Sequence, residues 1–428
     1  MPSLKSAAGS VFRFLVRAGF VLLVFPVLYM LEPYVRLRFG LIYTNRIGHL
    51  SANTDVYLRR FELKPMPPRT HHFLFAWDPC NRQLFRMIVR RTRESGHHNG
   101  IHVYESRWGT RLVFACSSIL RKTRFWLPLP FNSTEYFLYN NTKPVFAFTA
   151  EELRQGERSL RAMGIGENDW FVCFHARDSA YLHWWRPHLS SHWEKLDFKN
   201  NDILNYMKAV EHITALGGFA IRMGAKVESP LPDIGNPRII DYATTHRSDF
   251  MDIYLSAKCR FFLGTGCGLA QVPAIFGTPL IVVDHFPYNH SFHHDHDIIV
   301  PRPIFSLDGM RRIPFWEAEA AGYYAWPGES GTNSLGANRH LYTMGLNSPD
   351  DILVAVKDMI DQLEGRRPSI EGQALRAYYA ERYLSHHDSY RLAAKVSWRW
   401  ALDNRDIILR ETQSSTTEPG DRIRSHVS

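Results

Sequence analysis

The chain has 428 residues, of which 45% are hydrophobic and 22% charged, and a formal net charge of +9. A single hydrophobic core seldom grows beyond roughly 250 to 300 residues, so two domains are expected, and the composition excludes a wholly disordered or fibrous chain. The positive charge favours anionic partners without choosing among nucleotides, phospholipids and nucleic acid.

Residues 1–38 stand apart. Lys5, Arg13, Arg17, Arg36 and Arg38 surround the uncharged run "AGFVLLVFPVLYML", Ala18 to Leu31. A spanning helix needs about 20 apolar residues, and no small-residue cleavage site follows as in a signal peptide. The expectation is a membrane-associated helix lying on the surface, its basic flanks against anionic lipid; a buried packing helix is the alternative.

Residues 39–148 alternate between short apolar runs and helical patterns. "FGLIYT", "HHFLFAW" and "GIHVYES" read as strands, with "LSANTDVYLRRF" and "NRQLFRMIVRRTRE" as helices between them. That alternation is the mark of an α/β layer on a parallel sheet. Thr149 and Glu152 have capping-box spacing, which places a helix start and a domain boundary there.

A second α/β series fills residues 149–370. Its strands are "WFVCFHA", "FAIRMG", "RIID", "RFFLG", "PLIVVD" and "DIIV". Between the first two, Ile203, Tyr206, Met207, Val210 and Ile213 share one helical face, and two glycines suit the C-cap. Ser248 and Ser348 are N-cap candidates, the latter followed by Pro349. Residues 371–410 read as C-terminal helices, and the polar tail 411–428 as disordered.

Chemistry is expected at the carboxyl ends of the strands, where open parallel sheets hold ligands. "WFVCFHARDSAYL", Trp170 to Leu182, is an apolar strand ending in His175, Arg177 and Asp178; "FAIRMG" ends in Arg222; "RFFLG" runs into the glycine-rich "GTGCGLAQVPAIFG". Guanidiniums grip phosphate oxygens in a fixed fork, and glycines let backbone N–H groups approach the same anion, so the set suits a diphosphate. The alternative is a local Arg177–Asp178 ion pair beside a simple tight turn. Asp241 and Tyr242, after "RII", stand where a nucleoside-binding residue would be useful, although a carboxylate there is as often a turn residue.

In the first domain, His49 opens a helix and has an unperturbed pKa near neutrality, which suits a general base; Asp55 is a second candidate. A helix-end histidine without a chemical task is the other reading. The aromatic stretch "YLHWWRPHLSSHW", Tyr181 to Trp193, is either a flap stacking on sugar rings or a surface loop packed on the inner leaflet or a neighbouring domain. "DHFPYNHSFHHDHD", Asp284 to Asp297, is rich in metal-ligand types, but its spacing matches no defined site; a histidine-rich loop is the expectation and a metal site the alternative. The five cysteines lack CxxC pairs or framework spacing, which reads as a reducing compartment. The basic residues form no single stripe with interleaved aromatics, which argues against nucleic acid.

Taken together, "FHARDSAYL", "FAIRMG" and "IIDYATTHRSDFMDIYLSAKCRFFLGTGCGLAQVPAIFGTPLIVVD" resemble bacterial glycosyltransferases of surface-polysaccharide gene clusters. More distantly they are similar to the protein O-fucosyltransferase and α-1,6-fucosyltransferase group, whose HxR motif contacts the donor diphosphate. The resemblance spans roughly Phe39 to Leu363. It implies a GT-B architecture, two Rossmann-like domains facing across a cleft, the second holding the donor. The HxR motif falls on His175 and Arg177, and the phosphate-cradling helix start on Thr265, Gly266, Cys267 and Gly268. Cys267 departs from the serine of that group, and a thiol is the weaker hydrogen-bond partner. The implied activity is transfer of a hexosyl or deoxyhexosyl unit from a nucleoside-diphosphate sugar, without metal or other cofactor, to a glycan or lipid-linked acceptor. The implied location is the cytoplasmic face of the bacterial inner membrane. A hydrolysing nucleotide-sugar epimerase on the same scaffold, or a non-catalytic glycan-assembly protein, is the alternative.

Overall fold

Three parallel strands, β1 (Arg36–Leu41), β2 (Thr70–Ala76) and β3 (Ile101–Glu105), form the sheet of a first α/β unit in the order β1-β2-β3. This computed structural model describes residues 18–94, 100–129, 137–189, 199–288, 293–321, 342–384 and 394–409. Along β2, burial alternates residue by residue: Thr70, His72, Leu74 and Ala76 are buried, and His71, Phe73 and Phe75 are half-covered. A period of two on one strand means two unequal faces. The helix Arg82–Arg93 starts where Asn81 accepts from the Leu84 N–H, at 2.8 Å, and the helix Arg107–Leu120 starts where Ser106 accepts from the Gly109 N–H, at 3.0 Å.

The N-terminal segment packs one side on the first unit. After a wide turn at Phe20–Val24, the helix Phe25–Leu31 buries Phe25 and Leu28 in a cluster with Val113, Cys116, Leu120 and Phe125. Its other side is open, with Val27, Tyr29 and Met30 exposed, the last at 72%. Among the described residues no helix is long and apolar enough to cross a membrane. Lys5, Arg13, Arg17, the end of the aromatic stretch, Asn289 to Phe292 and the tail from Glu411 lie outside the described residues.

The second unit is built on seven parallel strands. In chain order these are β4 (Phe171–His175), β5 (Phe219–Arg222), β6 (Ile239–Ile240), β7 (Phe262–Thr265), β8 (Leu280–His285), β9 (Ile298–Pro301) and, past the antiparallel pair β10 (Ile304–Ser306) and β11 (Tyr342–Met344), β12 (Lys395–Val396). Their spatial order is β12-β9-β8-β7-β4-β5-β6. β4, β5, β7, β8 and β9 are buried almost throughout, as expected of strands covered on both faces. From β4 the chain builds outward through β5 and β6, then returns to the other side of β4 with β7. That reversal is a topological switch point, and it lies between β4 and β7.

Several local expectations hold. Thr149 and Glu152 form the reciprocal capping box, at 2.7 and 3.2 Å. Ser348 and Asp351 form another, with Pro349 in the first helical position. Gly217, at φ 87°, ends the helix Met207–Ala215, and the Gly218 N–H bonds the Ile213 carbonyl at 3.1 Å. The domain limits shift. The first compact unit comprises Met1–Gly156, Ser248–Tyr254 and Ile275–Gly277, and everything else belongs to the second. The C-terminal helices are part of that second unit rather than a separate layer, because β12 pairs with β9.

Candidate functional site

The switch point gathers the charged end of β4 and the glycine-rich turn after β7. Register places His175 beside Gly264 and Phe174 beside Arg222, so three neighbouring strands end on one line. A Cβ on Gly264 would come within 3.0 Å of the His175 carbonyl oxygen, which explains glycine at this close approach. The His175 ring is fixed by Nδ1, 2.9 Å from the Met223 carbonyl, so Nδ1 carries the proton and Nε2 is turned to the loop.

Arg177 and Asp178 have separate tasks. The Arg177 guanidinium is half-buried and donates to Asn200 Oδ1, while its own carbonyl accepts from the Asn201 N–H at 2.8 Å. Asp178 accepts from the Ala180 N–H at 3.1 Å and the Glu228 N–H at 3.0 Å, pinning two loops. Arg177 and Asp178 thus bond different partners.

After β7 the backbone turns sharply, with the Cys267 N–H 2.7 Å from the Thr265 carbonyl. Gly266 and Gly268 are exposed, and Cys267 is partly exposed between them. Thr265 is 3% exposed and its Oγ1 has no protein partner, which is unusual for a buried hydroxyl. The expected helix start is displaced. The helix begins only at Gln271 and runs six residues, so the cradle is a turn and not a helix terminus. Burial raises the Cys267 thiol, but the charge and hydrogen bond of His175, with the N–H groups of Ala270 and Leu269, outweigh it and bring the thiol down to about 7. His175 is raised in return: burial opposes its charge, and Cys267, the Met223 carbonyl and Asp178 favour it.

Three residues expected in this site are occupied otherwise. Arg222 is buried and bonds Asp241, at 3.3 Å, and the Ser229 carbonyl, at 2.8 Å. Asp241 also accepts from the Leu231 N–H at 2.9 Å. Two residues assigned separately to diphosphate and nucleoside therefore hold each other, ordering the loop after β5. Tyr242 is fully buried and offers no surface to a base.

The two candidate bases of the first unit also separate. His49 is half-buried in a wide helical turn, His49–Asn53, with its ring centroid 6.1 Å from that of Tyr43. Burial and the Arg46 charge, against a bond to Asn53, hold its pKa below the usual value, which favours the neutral ring. Asp55 is fully enclosed and bonds Arg59 Nε at 2.6 Å. Arg59 in turn donates to Thr142 and the Ile275 carbonyl and lies over the Tyr139 ring. Asp55 is thus a packing residue and not an accessible base.

Sequence reasoning missed a polar cluster beside the turn. Asp284, at φ 49°, exchanges hydrogen bonds with Asn347 at 2.6 and 2.7 Å and accepts from the Asn201 amide. Burial pushes its carboxyl up to about 6, against the pull of Arg302, Asn347 and Asn201. Tyr206 Oη and Asn201 Oδ1 join Thr265 Oγ1 as buried atoms without a protein partner. The one available signal was Asp284 itself, a carboxylate closing the apolar run "PLIVV". In the histidine-rich stretch, His293 Nε2 meets Gln271 Oε1 at 2.5 Å and His294 Nε2 meets the Ala274 carbonyl at 2.9 Å. Among the described residues no group of three or more His, Cys, Asp or Glu is arranged to hold a metal.

No family model matches the chain, and no curated protein matches it. Among solved structures it is similar to a glycosyl transferase family 9 protein from Veillonella parvula, with 10% identity over 77% of this chain and 98% of that one and a TM-score of 0.40. It is also similar to E. coli ADP-heptose LPS heptosyltransferase II, with 11% identity over 57% and 84% of the two chains and a TM-score of 0.36. A third is the dodecameric iron-containing heptosyltransferase TibC of enterotoxigenic E. coli, solved with ADP-D-β-D-heptose, with 11% identity over 77% and 78% and a TM-score of 0.35. Scores this low establish neither a shared fold nor a shared activity.

Proposed function

We propose that the chain is a glycosyltransferase of GT-B type that binds a nucleoside-diphosphate sugar at the switch point of its seven-stranded sheet. The observation that carries this reading is the convergence there of Arg177 and the exposed glycines around Cys267, with the unpartnered Thr265 hydroxyl beneath them. Arg177 neutralises the diphosphate and stabilises the charge that grows on it as the sugar leaves. His175 holds the turn through its bond to the Met223 carbonyl. Arg222 contributes indirectly, by fixing the loop after β5 through Asp241.

In the proposed reaction an acceptor hydroxyl attacks the anomeric carbon, the bond from that carbon to the diphosphate oxygen breaks, and the nucleoside diphosphate departs with the electron pair. A general base takes the acceptor proton, and His49 of the first unit is the candidate for that role. The motif resemblance extends the proposal to a hexosyl or deoxyhexosyl donor, inversion at the anomeric carbon, independence of metal, and a glycan or lipid-linked acceptor in surface-polysaccharide synthesis at the cytoplasmic face of a bacterial membrane.

The test is release of nucleoside diphosphate from a panel of nucleotide sugars, with and without lipid-linked acceptors and with and without EDTA. One donor class is expected to be turned over, equally in chelator, and Arg177→Ala is expected to abolish it. Turnover of none, or turnover unchanged in Arg177→Ala, overturns the assignment.

A further inference from the structure

The structure points to a second functional surface, away from the donor turn: we infer that the N-terminal helix and the helix Arg107–Leu120 together form a face that docks on an anionic lipid bilayer. The inner sides of these helices share one core, in which Phe25 and Leu28 meet Val113, Cys116, Leu120 and Phe125. Their outer sides are apolar. Met30 is 72% exposed on the first and Leu22 and Leu23 are 71% and 72% exposed in the turn that leads into it, and Trp108 and Phe114 are 75% and 70% exposed on the second, with Leu112 beside them at 46%. Scattered exposed hydrophobics are normal, but two adjoining elements with this many large ones mark an interaction surface.

Charge chooses the occupant. Residues 106–134 contain Arg107, Arg111, Arg121, Lys122 and Arg124 and no Asp or Glu; residues 1–31 contain Lys5, Arg13 and Arg17 and again no acid. Three of these cations lie over aromatic rings: Arg111 over Trp108 at 5.7 Å, Arg121 over Trp126 at 5.3 Å and Arg124 over Tyr29 at 6.0 Å. An apolar body capped by Trp, Tyr and Arg suits the boundary between acyl chains and headgroups. Each basic residue near an anionic surface adds about 1 kcal/mol.

The geometry also says how the segment meets the membrane. A helix that lies in the interface turns one side to lipid, and the helix Phe25–Leu31 gives its other side to the protein core. It therefore lies in the interface plane, and the helix Arg107–Leu120 widens the contact. This surface does not depend on the donor-site reading.

Flotation of the full chain with phosphatidylcholine vesicles, with and without phosphatidylglycerol, at low and high salt, tests the inference. The wild type is expected to float with anionic vesicles and to be released by salt. Trp108→Ser/Phe114→Ser is expected to reduce partitioning about tenfold or more, from the loss of two buried aromatics, and Arg111→Glu/Arg121→Glu to abolish the preference for phosphatidylglycerol. Both variants are to keep the wild-type circular dichroism and response to nucleotides, which separates loss of docking from misfolding and from failure of the donor site. Failure of the wild type to bind anionic vesicles overturns the inference. So does equal binding by Trp108→Ser/Phe114→Ser, or light scattering showing that these residues instead hold two copies of the chain together.

Discussion

The two sheets differ in how much of themselves they hide. In the second unit, Val172, Cys173, Phe174, Ile281, Val282 and Ile299 are wholly enclosed, and the edge where the strands end is left for polar chemistry. In the first unit the three-stranded sheet has one well-covered face and one lined by half-covered aromatics, with Phe73 stacked between Phe39 and His102. That second face is closed by helices that are themselves apolar outside. A fully buried parallel sheet makes a rigid platform for a small ligand; a thinly covered one makes a surface whose outer layer wants a further partner.

The comparison is broken or sharpened by substitutions, beginning with the largest effect. His49→Ala is expected to lower kcat about 10²- to 10⁴-fold with nucleotide binding intact, whereas Asp55→Asn, if folded, is expected to keep its turnover. The reverse result would return the base to Asp55. Next, each unit holds a buried Arg–Asp pair, and their costs should differ. Arg59→Ala leaves Asp55 enclosed without a counter-charge and is expected to cost about 3–5 kcal/mol in urea unfolding. Arg222→Ala is expected to cost about 1–3 kcal/mol, because Asp241 is partly exposed and keeps the Leu231 N–H.

A smaller effect concerns pH. Asp297 is enclosed beneath the second sheet, and burial pushes its carboxyl up to about 8 despite the N–H groups of His294 and Leu280. Unfolded, it titrates near 3.9. The native state thus holds a proton that the unfolded chain releases, so stability is greatest below about pH 4 for this group and is lost as pH rises towards about 8. Asp297→Asn is expected to flatten that slope in unfolding curves taken across the window. An unchanged slope would mean that the group is ionised in the fold.

The smallest effect is local. Iodoacetamide should alkylate Cys267 with a midpoint near pH 7, and His175→Gln should move the midpoint towards that of an ordinary thiol, about 8.5. A wild-type midpoint already near about 8.5 would contradict the His175–Cys267 contact.

The strands of the second unit were legible because buried parallel strands are uninterrupted apolar runs, those of the first because short apolar runs alternate there with helical patterns, and the caps at Thr149 and Ser348 because their donors and acceptors lie within three residues. What the sequence hid was pairing at a distance. Asp241 meets Arg222 across β5 and β6, nineteen positions away, so each looked available. Asp55 and Arg59 have the spacing of an ordinary surface helix pair; their enclosure depends on Tyr139, Thr142 and Ile275, far along the chain. β12 has two residues, too few for a period, and its place beside β9 is what draws the C-terminal helices into the second unit. At the candidate site the motif residues His175, Arg177 and Thr265 to Gly268 were legible from their place after strands. Asn200, Asn201 and Tyr206 were not, since a loop residue becomes part of a site only through the strand ends it reaches.

The central claim is that the β4–β7 switch point binds a nucleoside diphosphate through Arg177. It is tested most directly by thermal shift of wild type and Arg177→Ala with GDP, UDP, CMP, dTDP and ADP, each with and without EDTA. The account predicts that one nucleotide raises the wild-type Tm, that chelator makes no difference, and that Arg177→Ala folds but loses the response. Stabilisation by none of them, or a full response in Arg177→Ala, would contradict it.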